Sequence, residues 1–291
     1  MAEAVSASNS IEGDTQKAVL SPPDWLKIWR RRFHGQRWGF VAFRNAYLSD
    51  DGGGGGERWD KFKAEFERIV RLPFARDAAH AQEKGLLLPD DFDEARAKFT
   101  VQWVDASETG TTMATTAIAS AESLRSRYAA LRPGLDPGMS WEIFLCASPE
   151  AVKSFEGEDG AADTDETSKI WRERAPFVLA FMAHGESGLE EDHDEAAWFK
   201  PVFKVAVEVL VESLLGVLDM GTSMERITRT VRRAIELDEA AVGTEKENRK
   251  DKERLDEGES RDLDEIWWSM HPSPARMRAP MRMRGIRVID E

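Results

Sequence analysis

The stretch Lys98-Phe-Thr-Val-Gln-Trp-Val104 alternates apolar and polar side chains with the period of an extended strand. Phe99, Val101 and Trp103 fall on one side of that strand, and the polar residues between them fall on the other. A strand with one apolar face needs a second layer of structure to cover it. The stretch therefore predicts a sheet, and the segments around it indicate what packs against that sheet.

Four other segments have strand character. Residues 38–47 and 141–146 are rich in aromatic and β-branched side chains, which suit a pleated surface. Residues 176–183 are apolar on both faces, which is typical of a central strand covered on both sides. Residues 199–206 alternate like a strand before the pattern passes into a helix that ends near residue 218.

Helices are predicted where apolar side chains recur every three or four residues. The predicted helices span residues 24–33, 57–72, 117–131, 206–218 and 222–235. The last begins with Thr222-Ser-Met-Glu225, which has the spacing of a capping box. Pro73 is expected to end the helix before it, and residues 74–93 are interpreted as a charged, irregular connection, with a helical turn as an alternative.

This order of elements predicts an α+β fold: a mixed sheet of four to five strands with helices packed mainly on one face, ferredoxin-like in style. A strictly parallel doubly wound sheet is disfavoured, because no helix separates the third and fourth strands. We expect one domain over residues 24–237. The flanking segments are predicted to be a disordered tail over 1–23, a charged linker or polar helix over 238–265, and a Trp/Arg-rich tail over 266–291.

Composition restricts the function classes. The formal net charge, 40 − 54 = −14, argues against general binding to nucleic acid or to an anionic membrane. Cys146 is the single cysteine, so no intramolecular disulfide forms, which suits a reducing compartment. Glu208 and Glu212 interrupt the longest apolar stretch, and the N-terminus has no signal-peptide pattern. We therefore expect a cytoplasmic protein with no membrane association.

Arg44 and Asn45 lie in an otherwise apolar strand. A charge in that position must reach the end of the sheet, pair with a carboxylate or face a cavity. A buried ion pair is the first interpretation, and an arginine that faces a ligand is the second. Glu142, on the third predicted strand, is an acid able to pair with it. Arg44 and Glu142 are therefore the candidate ligand-binding residues.

Two histidines occur near carboxylates. His184 follows the apolar fourth strand, and His193 lies within an acidic run over residues 190–195. Imidazole and carboxylate groups bind divalent metals, although this spacing matches no defined site and a solvated loop is the main interpretation. The residues to test as metal ligands are His184, Asp192 and His193.

Several chemistries lack their motif. The glycines at 52–56 are followed by Glu57-Arg58 rather than by the Lys-Ser/Thr of a phosphate-binding loop. Cys146 lies in mid-strand, which favours structural burial over catalysis. No Gly-x-Ser-x-Gly elbow occurs, and no cofactor is expected. The arginine-rich stretch 276–287 is interpreted as a contact for the protein's own acidic loops, with RNA or an acidic partner as alternatives.

The first predicted strand, Trp38-Gly-Phe-Val-Ala-Phe-Arg-Asn-Ala-Tyr47, is followed by Trp59 and Phe62 on the next helix. This pattern resembles a group of uncharacterised filamentous-fungal proteins. Their opening strand has the form Trp-Gly-aromatic-Val-x-aromatic-Arg-x-x-Tyr, and a Trp-x-x-Phe helix follows it. The resemblance implies a fungal intracellular α+β protein. It carries no activity and no catalytic residues over to this chain.

Two function classes follow from these observations. The first is a non-catalytic accessory or interaction protein with a protein partner, which is favoured by the lack of a catalytic motif and by the long charged tails. The alternative is a small-ligand-binding protein or cofactor-free enzyme with a pocket between sheet and helices. Its support is the load of ten Trp and fourteen Phe together with Arg44. The sequence does not specify the oligomeric state.

Overall fold

A computed structural model of the chain describes residues 17–45, 55–106, 119–156, 175–190, 193–231 and 264–271. These residues form an α+β fold built on one mixed sheet, which confirms the predicted class. The described residues supply six strands rather than the expected four to five. They are β1 (Trp38–Arg44), β2 (Phe99–Asp105), β3 (Ile143–Ala147), β4 (Phe177–Met182), β5 (Val202–Ala206) and β6 (Ile266–Trp267).

The strands are ordered β2-β1-β3-β4-β5-β6. β1 pairs in parallel with both β2 and β3, whereas β4 runs antiparallel to both β3 and β5. β6 is parallel to β5. Parallel neighbours need long crossover connections, and helices occupy both connections among the first three strands. β3 and β4 are antiparallel although a short helix, Pro149–Lys153, lies between them in the chain, which corrects the expectation that no helix separates these two strands.

The described helices lie mainly on one face of the sheet, as predicted. That face carries α1 to α4, α7 and α8, and the opposite face is covered chiefly by α5. Their bounds are α1 (Asp24–Ile28), α2 (Gly55–Val70), α3 (Leu72–Glu83), α4 (Phe92–Lys98), α5 (Ala121–Leu131), α6 (Pro149–Lys153), α7 (Leu215–Asp219) and α8 (Met224–Thr228). Two π-helical segments, Trp29–Phe33 and Leu210–Leu214, extend α1 and precede α7.

Helices α3 and α4 correct the expectation of an irregular connection over residues 74–93. α2 ends at Val70, and a second helix begins at once, with Pro73 in the first turn of α3. A proline is tolerated there because the first-turn N–H groups have no partner within the helix. Phe74 and Phe92 are buried against the sheet, so tertiary packing stabilises two helices whose sequence is otherwise charged.

The first helix packs on the sheet through its tryptophans. Trp25 and Trp29 are buried, and Trp25 stacks on Trp38 of β1 at 5.9 Å between ring centroids. The arginines that follow are paired within the molecule: Arg30 with Asp91, and Arg31 and Arg32 with the buried Asp219. The basic side of this helix is therefore used for tertiary contacts.

Gly39 permits the close approach of β1 and β2. Its φ is +135°, and a Cβ placed on it would lie 1.9 Å from the carbonyl oxygen of Thr100 on β2. Any other residue would force the two strands apart at this point. The glycine of the Trp-Gly pair in the opening strand is therefore explained by the close packing of β1 against β2.

Residues beyond the expected domain limits join the sheet. Ile266 and Trp267, assigned from the sequence to the C-terminal tail, form β6 beside β5. Trp267 is fully buried, and its Nε1–H donates to the carbonyl of Ile227 at 2.6 Å. Near the other end, Val19 bridges Leu87. The remaining parts of the predicted tails and linker, residues 1–16, 232–263 and 272–291, lie outside the described residues.

Within the described ranges, every helix is too short or too polar to cross a membrane.

Candidate functional site

The two candidate ligand-binding residues lie at opposite ends of the sheet. We call the end at which β1, β2 and β3 begin the amino end, and the end at which they finish the carboxyl end. Arg44 is the last residue of β1 and pairs in register with Ala147, whereas Glu142 directly precedes β3. The separation of 147 − 142 = 5 positions corresponds to roughly 17 Å of strand. The structure therefore does not bring Arg44 and Glu142 together.

Glu142 is instead joined to the candidate metal ligand His184. The His184 Nε2 lies 3.1 Å from Glu142 Oε2, and Arg132 Nη2 donates to Glu142 Oε1 at 2.5 Å. The hydrogen bond from Arg132 to Glu142 raises the pKa of the guanidinium. One carboxylate thus holds an arginine on one side and an imidazole on the other, at the amino end of the sheet.

The three candidate metal ligands are not all described. Asp192 lies outside the described residues. His184 pairs with Glu142, and His193 Nδ1 accepts the backbone N–H of Glu195 at 3.2 Å. The described residues contain no group of three or more His, Cys, Asp or Glu side chains arranged to hold a metal. The metal site stays a prediction.

An open cleft of about 700 Å³ lies beside the Glu142–His184 pair. It is bounded by the end of β4, the loop that follows β4, and the first turn of α8. Its apolar wall consists of Met182, Leu189, Phe199 and Met224. Its polar groups are Glu142, His184, Glu186, Ser187 and Glu225.

Glu225 is the most enclosed polar group of the cleft. It is only 4% exposed, and the Ser187 hydroxyl donates to its Oε1 at 2.5 Å. Ser187 Oγ in turn accepts the backbone N–H of Leu189 at 3.1 Å, which fixes the loop that carries it. The capping box expected for Thr222 and Glu225 is wrong. The helix N-cap is Ser223, and the Glu225 carboxylate points to Ser187.

Backbone contacts position the cleft walls. Arg125 on α5 donates from Nε to the carbonyl of Met182 at 3.1 Å and from Nη2 to Pro201 at 3.4 Å. Burial lowers the pKa of Arg125. Thr228 on α8 donates to the carbonyl of Trp198 at 2.7 Å, which holds Phe199 against the helix. These hydrogen bonds connect the end of β4 and the segment 198–201 to α5 and α8.

The carboxyl end of the sheet has a different character. The Arg44 guanidinium carbon lies 4.7 Å from the centroid of the Trp59 ring, so the charge rests on an aromatic face. Its Nε is buried and has no hydrogen-bond partner among the described residues. Asn45 is fully buried and bonds Ala119 in both directions, at 3.0 and 2.8 Å. Cys146 is also buried, and burial raises the pKa of its thiol. A reactive thiolate is not supported there.

A second cleft, of about 740 Å³, separates α2 from α6. Its arginines are already paired: Arg58 with Glu156 and Arg68 with Glu65. These pairings distinguish it from the amino-end cleft, where Glu225 forms no ion pair with any described residue.

Comparison with family models, curated proteins and solved structures finds no match to this chain. Sequence reasoning missed Ser187 and the buried position of Glu225, because no local pattern connects two residues that are 38 positions apart. The Glu142–His184 contact follows from the antiparallel pairing of β3 and β4, in which the Ala183 N–H donates to the Glu142 carbonyl at 2.8 Å.

Proposed function

We propose that the protein binds a small organic molecule in the amino-end cleft. The observation that supports this most directly is the composition of the cleft. Four apolar side chains face a small set of polar groups that includes the enclosed Glu225 and the Glu142–His184 pair. Ligand sites are concave and mostly apolar, and a few placed polar groups supply orientation and specificity. The proposal corresponds to the second function class that the sequence leaves open.

The Glu142–His184 contact also favours an enzymatic version of this proposal. A carboxylate oxygen 3.1 Å from an imidazole nitrogen can orient the ring. Because His184 is 78% exposed, its ring reaches both solvent and a bound molecule. The His184 imidazole, oriented by Glu142, would be able to transfer a proton to or from a molecule bound in the cleft without a cofactor.

The first function class, a non-catalytic interaction protein, has less support from the described surface. Its large exposed apolar side chains are Val19, Leu87 and Met220. Val19 and Leu87 are neighbours through one β-bridge, and three such residues do not form a broad docking face. The net charge of −14 supports a partner other than nucleic acid, and the single cysteine supports a cytoplasmic setting.

Native mass spectrometry of protein purified from its own host tests the proposal. We expect a non-covalent adduct of small mass that denaturation releases. The matched variants are Gly188→Phe and Gly134→Phe, since neither glycine has a heavy atom within 4 Å of an added Cβ. Gly188 lines the cleft and Gly134 does not.

The adduct should survive in Gly134→Phe and disappear in Gly188→Phe, because the new ring fills the cleft. Retention by both variants would place the ligand elsewhere and contradict the proposal. An adduct that is a polypeptide would support the interaction class instead. For the enzymatic version, the mass of the released molecule should change on incubation with the wild type and not with His184→Ala.

A further inference from the structure

The charges of the amino-end cleft point to the chemical class of its ligand. We infer that the cleft takes an organic cation: a molecule with a protonated amine and an apolar body. The inference rests on the proposed function, since it presupposes that this cleft binds a small molecule. It is carried by Glu225, a largely buried residue whose carboxylate accepts a hydrogen bond from Ser187 and from no other described residue.

The partners of Glu225 satisfy only part of its hydrogen-bonding capacity. Glu225 is 4% exposed as a whole residue. Ser187 donates to Oε1, and no described residue donates to Oε2, which retains access to the cleft. Enclosing an ionised carboxylate is costly unless opposite charge and hydrogen-bond donors compensate it. A neutral hydroxyl supplies one donor and no charge. An ammonium group supplies three donors and the missing positive charge.

The basic groups around the cleft are already engaged elsewhere. Arg132 and His184 both contact Glu142. The Arg125 guanidinium, which would lie 3.4 Å from a Cβ added to Gly185, donates to the carbonyls of Met182 and Pro201. Glu186 adds a further carboxylate to the lining. The position next to Glu225 is therefore negative, and an anionic ligand would be repelled there.

The apolar wall decides between an organic cation and a metal ion. Met182, Leu189, Phe199 and Met224 offer no hard oxygen donors, and the described residues contain no three-donor metal group. A hydrated divalent ion would gain nothing from such a wall, whereas an alkyl or aryl body would bury apolar surface on it. The ammonium end then lies at Glu225 and the body along the wall.

Calorimetric titration with three probes of equal length tests the inference: n-hexylammonium, n-hexanol and n-hexanoate. We expect n-hexylammonium to bind about tenfold more tightly than n-hexanol, because a charge-assisted hydrogen bond is replaced by a neutral one. We expect n-hexanoate to bind most weakly. Gly188→Phe should weaken the binding of all three probes.

Variants test whether Glu225 causes the preference for the ammonium probe. Glu225→Gln should make n-hexylammonium and n-hexanol bind equally. Glu150→Gln makes the same change at an exposed side chain of α6 and should leave the tenfold ratio intact. Ser187→Ala removes the hydroxyl donor from Glu225 and should increase the ratio. If Glu225→Gln does not fold, two measurements still test the inference: the ratio of n-hexylammonium to n-hexanol affinity in Ser187→Ala, and the order of the three probe affinities in the wild type.

The outcomes distinguish a failure of the cation preference from a failure of the binding cleft itself. Equal or tighter binding of n-hexanol or n-hexanoate, still blocked by Gly188→Phe, would overturn the cation assignment and leave the binding cleft in place. A tenfold ratio that persists in Glu225→Gln would also overturn the assignment. Failure of all three probes to bind, or binding that Gly188→Phe does not weaken, would contradict the proposed function itself.

Discussion

The two ends of the sheet use their charged side chains in different ways. At the carboxyl end, Arg44 rests on Trp59, and the polar Asn45 is saturated by the backbone of Ala119. At the amino end, Glu142 and Glu225 face a cleft of about 700 Å³, and Glu225 forms no ion pair with a described residue. The same sheet thus combines an end stabilised by internal contacts with an end whose polar groups face open space.

The comparison teaches that strand direction alone does not locate a ligand site. In open α/β sheets the carboxyl ends of parallel strands usually hold the ligand. Here β1 lies between two parallel neighbours, yet the described side chains at its carboxyl end mainly contact one another. The antiparallel β4 changes the opposite end, because it delivers its own C-terminus and the following loop beside the start of β3.

The largest expected effect concerns Asn45 at the carboxyl end. Asn45→Ala removes both side-chain hydrogen bonds and leaves the N–H and C=O of Ala119 without their partner. Because Asn45 is fully buried, we expect the free energy of unfolding to fall by about 3 kcal/mol in denaturant titration. Binding of n-hexylammonium to the folded variant should not change. A loss of stability below 1 kcal/mol or a loss of binding would remove the contrast between the two ends.

A pH effect is expected from Tyr128, close to the amino end. Its hydroxyl donates to the carbonyl of Trp141 at 2.6 Å, and burial raises its pKa from 10.0 to about 12. Above pH 10 the unfolded chain loses this proton first, so stability is complete below pH 10 and falls as pH rises towards 12. The loss should approach about 1.4 kcal/mol per pH unit in that window.

Tyr128→Phe provides the control for that measurement. The variant has no hydroxyl to ionise, so its free energy of unfolding should fall less steeply between pH 10 and 12 than that of the wild type. Other groups that titrate in the window contribute to both proteins and cancel in the difference. Parallel slopes for the two proteins would mean that Tyr128 is not enclosed as described.

The smallest expected effect concerns Arg44. Arg44→Ala removes a guanidinium that lies over Trp59, and we expect a loss of about 1 kcal/mol, typical of a partly exposed cation–π contact. Binding of n-hexylammonium should be unchanged. A loss of 3–5 kcal/mol would instead indicate the buried ion pair first suggested by the sequence. A loss of binding with stability intact would move the ligand site to the carboxyl end.

Local patterns in the sequence were sufficient for most of the fold. Alternation over residues 98–104 predicts β2 to within one residue, and apolar continuity predicts the central β4. The sequence does not reveal helix α3, because a proline usually ends a helix, whereas Pro73 lies in the first turn of this one. Strand β6 was missed because two residues next to a charged run carry too little periodic signal, and only the burial of Trp267 reveals it.

The site was less accessible from the sequence, for a physical reason. Glu142 and His184 were each selected, but for separate sites, and they meet only because β3 and β4 pair in antiparallel register. Ser187 and Glu225 approach through packing of a loop on α8. Contacts of this kind depend on the tertiary arrangement, which neither composition nor local spacing encodes.

The central claim is that ligand binding belongs to the amino end of this sheet. An amide-resolved NMR titration with n-hexylammonium tests it most directly. We predict saturable shifts confined to residues 142, 182–189, 199 and 223–225, which surround the cleft. Shifts confined to residues 44–45 and 148–156, at the carboxyl end, would contradict the claim.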